Sequence, residues 1–107
     1  MNLPKIAVLL AVSLLGWVST AAAEGDAERG QTLAQTCLGC HAVNGYYNVY
    51  PSYRVPRLGG QNGKYIVSAL KAYKTGERTH GTMQANADSL SDQDMADIGA
   101  FLEGHGK

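Results

Sequence analysis

The sequence has little with which to build a core. Its 107 residues include one tryptophan, one phenylalanine, three methionines, three prolines and two cysteines, and its formal net charge is zero. There is no internal repeat, no low-complexity tract and no credible pair of strands. Length and pattern exclude collagen-like, coiled-coil and multidomain architectures. Zero net charge excludes a generic pull toward nucleic acid or a membrane surface. The charges that exist are segregated. Residues 54–78 carry six Lys or Arg against Glu77 alone, and residues 88–103 carry five Asp or Glu with no Lys or Arg. These read as solvated helix faces, with a dipole that orients a docking partner as the alternative.

Many of the apolar residues crowd into the first 23 positions. Lys5 gives a basic start, Ile6 to Val18 is an apolar run broken only by Ser13 and Gly16, and Ala21-Ala22-Ala23 is a small-residue cleavage site before Glu24. This is the layout of a secretory signal peptide, and the run is too short for an ordinary membrane span. An uncleaved anchor or a buried helix is the competing reading. The expected product is residues 24–107, one exported domain with no stable membrane insertion. It holds 15 Leu, Ile, Val, Phe and Met residues, 12 glycines and no tryptophan. So small a core rarely stabilises a chain by more than about 3–5 kcal/mol. A disulfide, a metal or a large apolar cofactor is expected to supply the rest. Six tyrosines and clear periodic segments argue against general disorder.

Three helices are expected. The first runs from about Asp26, a candidate N-cap, to Cys37, with Ala27, Gly30, Leu33 or Ala34, and Cys37 on one face. Gly30 in its middle costs roughly 1 kcal/mol against alanine, which a close helix crossing would justify. The second runs from about Gly63 to Thr75, with Asn62 and Gly76 as caps. The third starts after Ser91, which forms an S-x-x-D pattern with Asp94, and carries the apolar stripe Met95, Ile98, Leu102. Residues 42–61, with Asn44-Gly45, Pro51, Pro56 and Gly59-Gly60, read as a long loop, and residues 76–89 as irregular. Loops this long in so small a domain usually have a purpose.

Both cysteines lie in Cys37-Leu38-Gly39-Cys40-His41. This is C-x-x-C-H, the attachment signature of c-type haem. Two cysteines three positions apart reach the two vinyl groups on one porphyrin edge. His41 then lies under the iron with an imidazole nitrogen to offer. The rivals are weaker. A thioredoxin-like redox pair needs a βαβ context. A Cys37–Cys40 disulfide closes too small a loop to stabilise much. Zinc needs about four ligands, which would draw in His80 or His105 beside an awkward Cys40-His41 pair.

By residue type, the second axial position is open to Met83, Met95, His80 or His105. Met95 sits on the apolar stripe of the last helix and reads as core. His80 reads as a surface histidine, and His105 lies in a glycine-rich tail. Met83, in the irregular segment 79–87, is the preferred second ligand, because His/Met ligation is an established haem pair. Two axial side chains leave no open site for substrate, which points to one-electron transfer and away from enzymatic turnover.

With these residues located, residues 24–107 resemble the class I cytochrome c family, and most closely its small bacterial periplasmic members. The resemblance rests on the Cys37–His41 motif, Pro56-Arg57-Leu58-Gly59-Gly60-Gln61, Tyr65-Ile66, Gly76-Glu77-Arg78, Met83 and the helix between Leu90 and Leu102. It implies an all-α cytochrome c fold of three to four helices wrapped around one covalently bound haem c, with long loops. It implies that the Pro56 carbonyl accepts the second N–H of His41, and that Gly30 meets Phe101 where the first and last helices cross. Arg57 would face a haem propionate or serve the surface. The segment between His41 and Pro56 departs from the family by extra length and by Tyr46, Tyr47, Tyr50 and Tyr53, which shield a thin core or meet a partner. The expected activity is periplasmic electron transfer between protein redox partners. The alternatives are a haem subunit of a larger dehydrogenase and an open-site protein that binds gases or acts as a peroxidase.

Overall fold

The computed structural model describes residues 25–106. The expected export segment, residues 1–23, lies outside them. Seven elements follow in order: α1 Ala27–Leu33, α2 Gln35–His41, β1 Tyr47–Val49, β2 Ser52–Arg54, α3 Gly63–Thr75, α4 Gly81–Asp88 and α5 Asp92–Gly104. The all-α reading holds, with five helices among the described residues and one small two-stranded sheet.

The local signals explain most helix ends. Asp26 caps α1 by accepting from the backbone N–H of Glu28 and Arg29. Asn62 caps α3, and Gly76, at φ 85°, ends it in the left-handed conformation that glycine adopts without strain. Ser91 and Asp94 exchange both bonds of a capping box at α5. The first helix differs from expectation at its far end. Ala34 marks a break, but the Ala34 N–H still bonds to Gly30 O and the Leu38 N–H to Ala34 O. Helix therefore resumes as α2 and runs through His41.

Two further elements correct the sequence reading. Residues 76–89 are not all irregular, since α4 occupies eight of them. It has no apolar stripe and buries only Ala87, so periodicity could not reveal it. The long loop contains an antiparallel hairpin, with Tyr47 opposite Arg54 and Asn48 opposite Tyr53. Three-residue strands are too short for alternation to register.

The core is one cluster made by Ala34, Ile66, Leu70, Ala87, Met95, Ile98 and Leu102. Helix α5 packs against both α1 and α3, and α4 against α3. Gly30 lies at the first crossing. A Cβ built there would stand 1.9 Å from the Asp97 carbonyl oxygen and 3.0 Å from Phe101 Cβ. The close approach is therefore chiefly to the α5 backbone, with Phe101 beside it. Alanine at position 30 would gain about 1 kcal/mol of helix propensity, but forcing the helices apart costs typically 1–3 kcal/mol. Gly30→Ala is expected to be net destabilised by up to about 2 kcal/mol. Denaturant unfolding checks this, and a raised midpoint would show that the crossing relaxes freely.

Asp97 sits on the acidic helix but is only 1% exposed, so the reading of that whole face as solvated fails there. Arg29 Nη1 donates to its Oδ2 at 2.6 Å, while Nη2 donates to Asp94 Oδ1 at 2.7 Å. The Asp26 backbone N–H and Gln93 Nε2 each donate to Asp97 Oδ1 at 2.8 Å. The Arg29 guanidinium, then the Asp26 N–H, then Gln93 hold the Asp97 carboxyl below the usual carboxylate range. A lowered folded-state pKa stabilises the fold above the unfolded value, near pH ~4. That contribution is lost as pH falls through the folded-state value. Asp97→Asn is expected to lower the melting temperature at neutral pH and to flatten the acid loss of stability below about pH 4. Melts of both proteins across that range check it, and parallel profiles would contradict it.

Candidate functional site

Helix α2 brings three chemically active side chains to one surface. Positions i, i+3 and i+4 share a helix face, and here they are Cys37, Cys40 and His41. The two cysteines are free thiols, Cys37 half-buried and Cys40 exposed. Burial pushes the Cys37 thiol above the usual range, opposed by a hydrogen bond with Thr36. His41 is 9% exposed.

His41 Nδ1 lies 2.6 Å from the Pro56 carbonyl oxygen. A carbonyl only accepts, so Nδ1 carries the proton and donates it. In the neutral ring Nε2 then carries the lone pair, the form in which imidazole binds a metal. No sealed side-chain nitrogen or oxygen lacks a partner among the described residues. Since Nε2 makes no hydrogen bond there, it is open to the space beside it.

That space is a cavity of about 650 Å³, within the size range of small-molecule and cofactor sites. Helix α2 contributes Cys37, Cys40 and His41, and the segment after the hairpin contributes Val55, Pro56 and Leu58. Helix α3 contributes Ile66, Leu70 and Tyr73, and α4 contributes Met83. All five residues singled out from the sequence, Cys37, Cys40, His41, Pro56 and Met83, thus surround one cavity. The chemistry of this set fits haem c. Two thiols and an imidazole lone pair stand on one helix face, a thioether stands on another helix, and the walls are largely apolar. It does not fit zinc, because no cluster of three or more His, Cys, Asp or Glu suited to a metal ion exists among the described residues.

The other axial candidates have separate surroundings. Met95 is fully buried in the core cluster. His105, in the glycine-rich tail, packs its ring against Phe101 at 5.0 Å, away from the cavity lining. His80 does line the cavity, but its Nδ1 accepts from the Met83 backbone N–H at 3.4 Å as the N-cap of α4. The Tyr53 ring meets His80 edge-on at 4.6 Å, and Tyr53 Oη lies 3.4 Å from Thr82 Oγ1. The tyrosine segment therefore divides. Tyr46 and Tyr53 are half-buried at the cavity, Tyr50 reaches its rim but is 94% exposed, and Tyr47 is 60% exposed and lies off the lining. Arg57 is exposed and donates to Asn44 Oδ1 at 2.7 Å. The role of His80 as a cap was not foreseen; its place three residues before Met83 was the available signal.

A cytochrome c family model matches residues 27–105. Cytochrome c4 of Pseudomonas aeruginosa is 38% identical over 102 residues, covering 95% of this chain and 48% of that protein. Cytochrome c-554(548) of Halomonas halodenitrificans is 41% identical over 80 residues, covering 72% of this chain and 93% of that protein. Among solved structures, reduced recombinant cytochrome c4 from Pseudomonas stutzeri aligns with a TM-score of 0.59 at 27% identity, over 77% of this chain and 52% of that one. The chain spans about half the length of these cytochrome c4 proteins.

Proposed function

Because the chain belongs to the cytochrome c family, whose cofactor is covalently bound haem c, we propose that it is a periplasmic one-electron carrier with His41 and Met83 as axial iron ligands. Haem, when bound, supplies the one-electron couple. The protein's part is to hold, orient and tune. Cys37 and Cys40 form the two thioether links from one helix face. The Pro56 carbonyl, bonded to His41 Nδ1, fixes the imidazole and leaves Nε2 as the nitrogen that would bind the iron. Met83 offers a thioether, which favours the reduced state and raises the potential relative to a second imidazole. His80 is the weaker rival, because its Nδ1 is engaged as an acceptor and its proton resides on Nε2. With both axial positions taken by side chains, no place remains for a substrate to react, so the protein is a carrier and not an enzyme.

The observation that carries this reading is the tautomer of His41, imposed by Pro56 beside a cavity that the cysteines and Met83 also line. Residues 1–23 act as the export signal, cleaved after Ala23, which delivers the chain to the compartment where haem is attached. Among the described residues no helix is long and apolar enough to cross a membrane. The partners are proteins that donate and accept single electrons.

The test is export of the full chain in a host that matures c-type cytochromes. The periplasmic product should have the mass of residues 24–107 plus one haem, retain haem after denaturation, and give a c-type spectrum in reduced and oxidised forms. A product without covalent haem would overturn the reading. Native mass separates a free carrier, expected as a monomer, from a subunit held in a complex.

A further inference from the structure

We infer that His80 and Tyr53 form a positioning pair that holds Met83 at the haem. The inference rests on the reading of Met83 as an axial ligand and names what keeps it in place.

Helix α4 is poorly placed to fix Met83 by itself. It is eight residues long, buries only Ala87, and has no apolar stripe. Isolated helices of that length are marginal. Met83 is its third residue, in the first turn, where backbone N–H groups lack partners within the helix. The His80 side chain satisfies one of them, with Nδ1 accepting from the Met83 N–H itself at 3.4 Å. The cap therefore acts on the backbone of the residue whose thioether must be placed.

The cap is in turn held from the hairpin. Tyr53 meets the His80 ring edge-on, with planes at 85° and centroids 4.6 Å apart. Its hydroxyl lies 3.4 Å from Thr82 Oγ1, so one tyrosine touches both residues on either side of Gly81. Tyr53 is itself set by strand pairing opposite Asn48, and the hairpin base is closed by the Val55 N–H on Tyr46 O at 3.0 Å. The hairpin thus ties the first turn of α4 to the segment that leads on to Pro56, the residue that orients His41. Both proposed axial ligands are steered from the same stretch of chain.

The test uses the haem-loaded protein at one fixed neutral pH. Two quantities are read: the ferric near-infrared Met–iron charge-transfer band, and the rate of CO binding to the ferrous form. Loss of an N-cap shifts a local opening equilibrium by roughly fivefold to tenfold. His80→Ala should therefore bind CO about fivefold faster or more, with a weakened band. His80→Asn, which restores a capping oxygen, should return CO binding most of the way to the parent rate. Tyr53→Ala should move in the same direction as His80→Ala, and Tyr53→Phe, which keeps the ring contact, should move less. Melting temperatures recorded alongside separate general loosening from displacement of Met83.

Parent-like CO binding in both His80→Ala and Tyr53→Ala would overturn the pair. So would equal effects of His80→Ala and His80→Asn, since capping would then not matter. Met83→Ala keeps the underlying reading separate. If the parent shows no Met–iron band and Met83→Ala leaves its spectrum unchanged, the ligand assignment itself is wrong, and the pair falls with it. If Met83→Ala abolishes the band while the His80 variants keep it, only the positioning pair is refuted.

Discussion

Replacing Cys37 and Cys40 together by serine is expected to yield a chain without covalent haem and without a cooperative fold. The core cluster contains seven residues, two of them alanines. Beside it lies a cavity of about 650 Å³. Unfilled internal volume costs about 24 cal/mol per Å³, which scales to on the order of 15 kcal/mol for a space this large. Water entering from the open side lowers that figure, but a small domain has only about 5–15 kcal/mol in total. The haem would therefore supply apolar mass that the chain cannot replace, and with the proposed ligands its bonds would join α2 to α4 across the fold. Folding and cofactor binding should be coupled as they are in small metal domains. Far-ultraviolet circular dichroism of the serine variant should show largely unfolded chain. A sharp thermal transition in that variant would contradict this account.

Met83→Ala is expected to open the iron while leaving the fold in place. The ferric charge-transfer band should disappear, the ferrous form should take up CO, and the midpoint potential should fall by on the order of 0.1 V or more. The stability cost should be modest, roughly 2 kcal/mol, because Met83 is only half-buried at the edge of the core. Met95→Ala is the matched control. Met95 is fully buried, so its truncation should cost about 2–5 kcal/mol and leave the band intact. Reversal of these two patterns, with Met95→Ala losing the band, would transfer the ligand role to Met95.

What the sequence made legible was local. The Cys37–His41 spacing, the Ser91–Asp94 capping box and the Asn62 and Gly76 caps each involve residues within a few positions of one another. Each appears in the structure where the pattern put it. What it concealed was short or long-range. Helix α4 lacks an apolar period and is capped by a histidine, outside the usual Ser, Thr, Asp and Asn. The hairpin strands are three residues each. Asp97 looked like one more charge on an acidic helix because Arg29, its partner, lies 68 positions away. The same distance effect hid the link from Tyr53 to His80. For the cavity, motif spacing identified the residues of α2, but only the fold could bring Pro56 and Met83 to the same space.

That His41 and Met83 together close both axial positions is tested most directly by one pairing of spectra on the unmodified, haem-loaded protein. The ferric near-infrared region is recorded, and the ferrous form is then exposed to CO. A clear Met–iron charge-transfer band with only slow CO uptake, limited by opening of the Met83 bond, is the predicted result. Absence of the band together with rapid CO binding would mean an open iron and contradict the account.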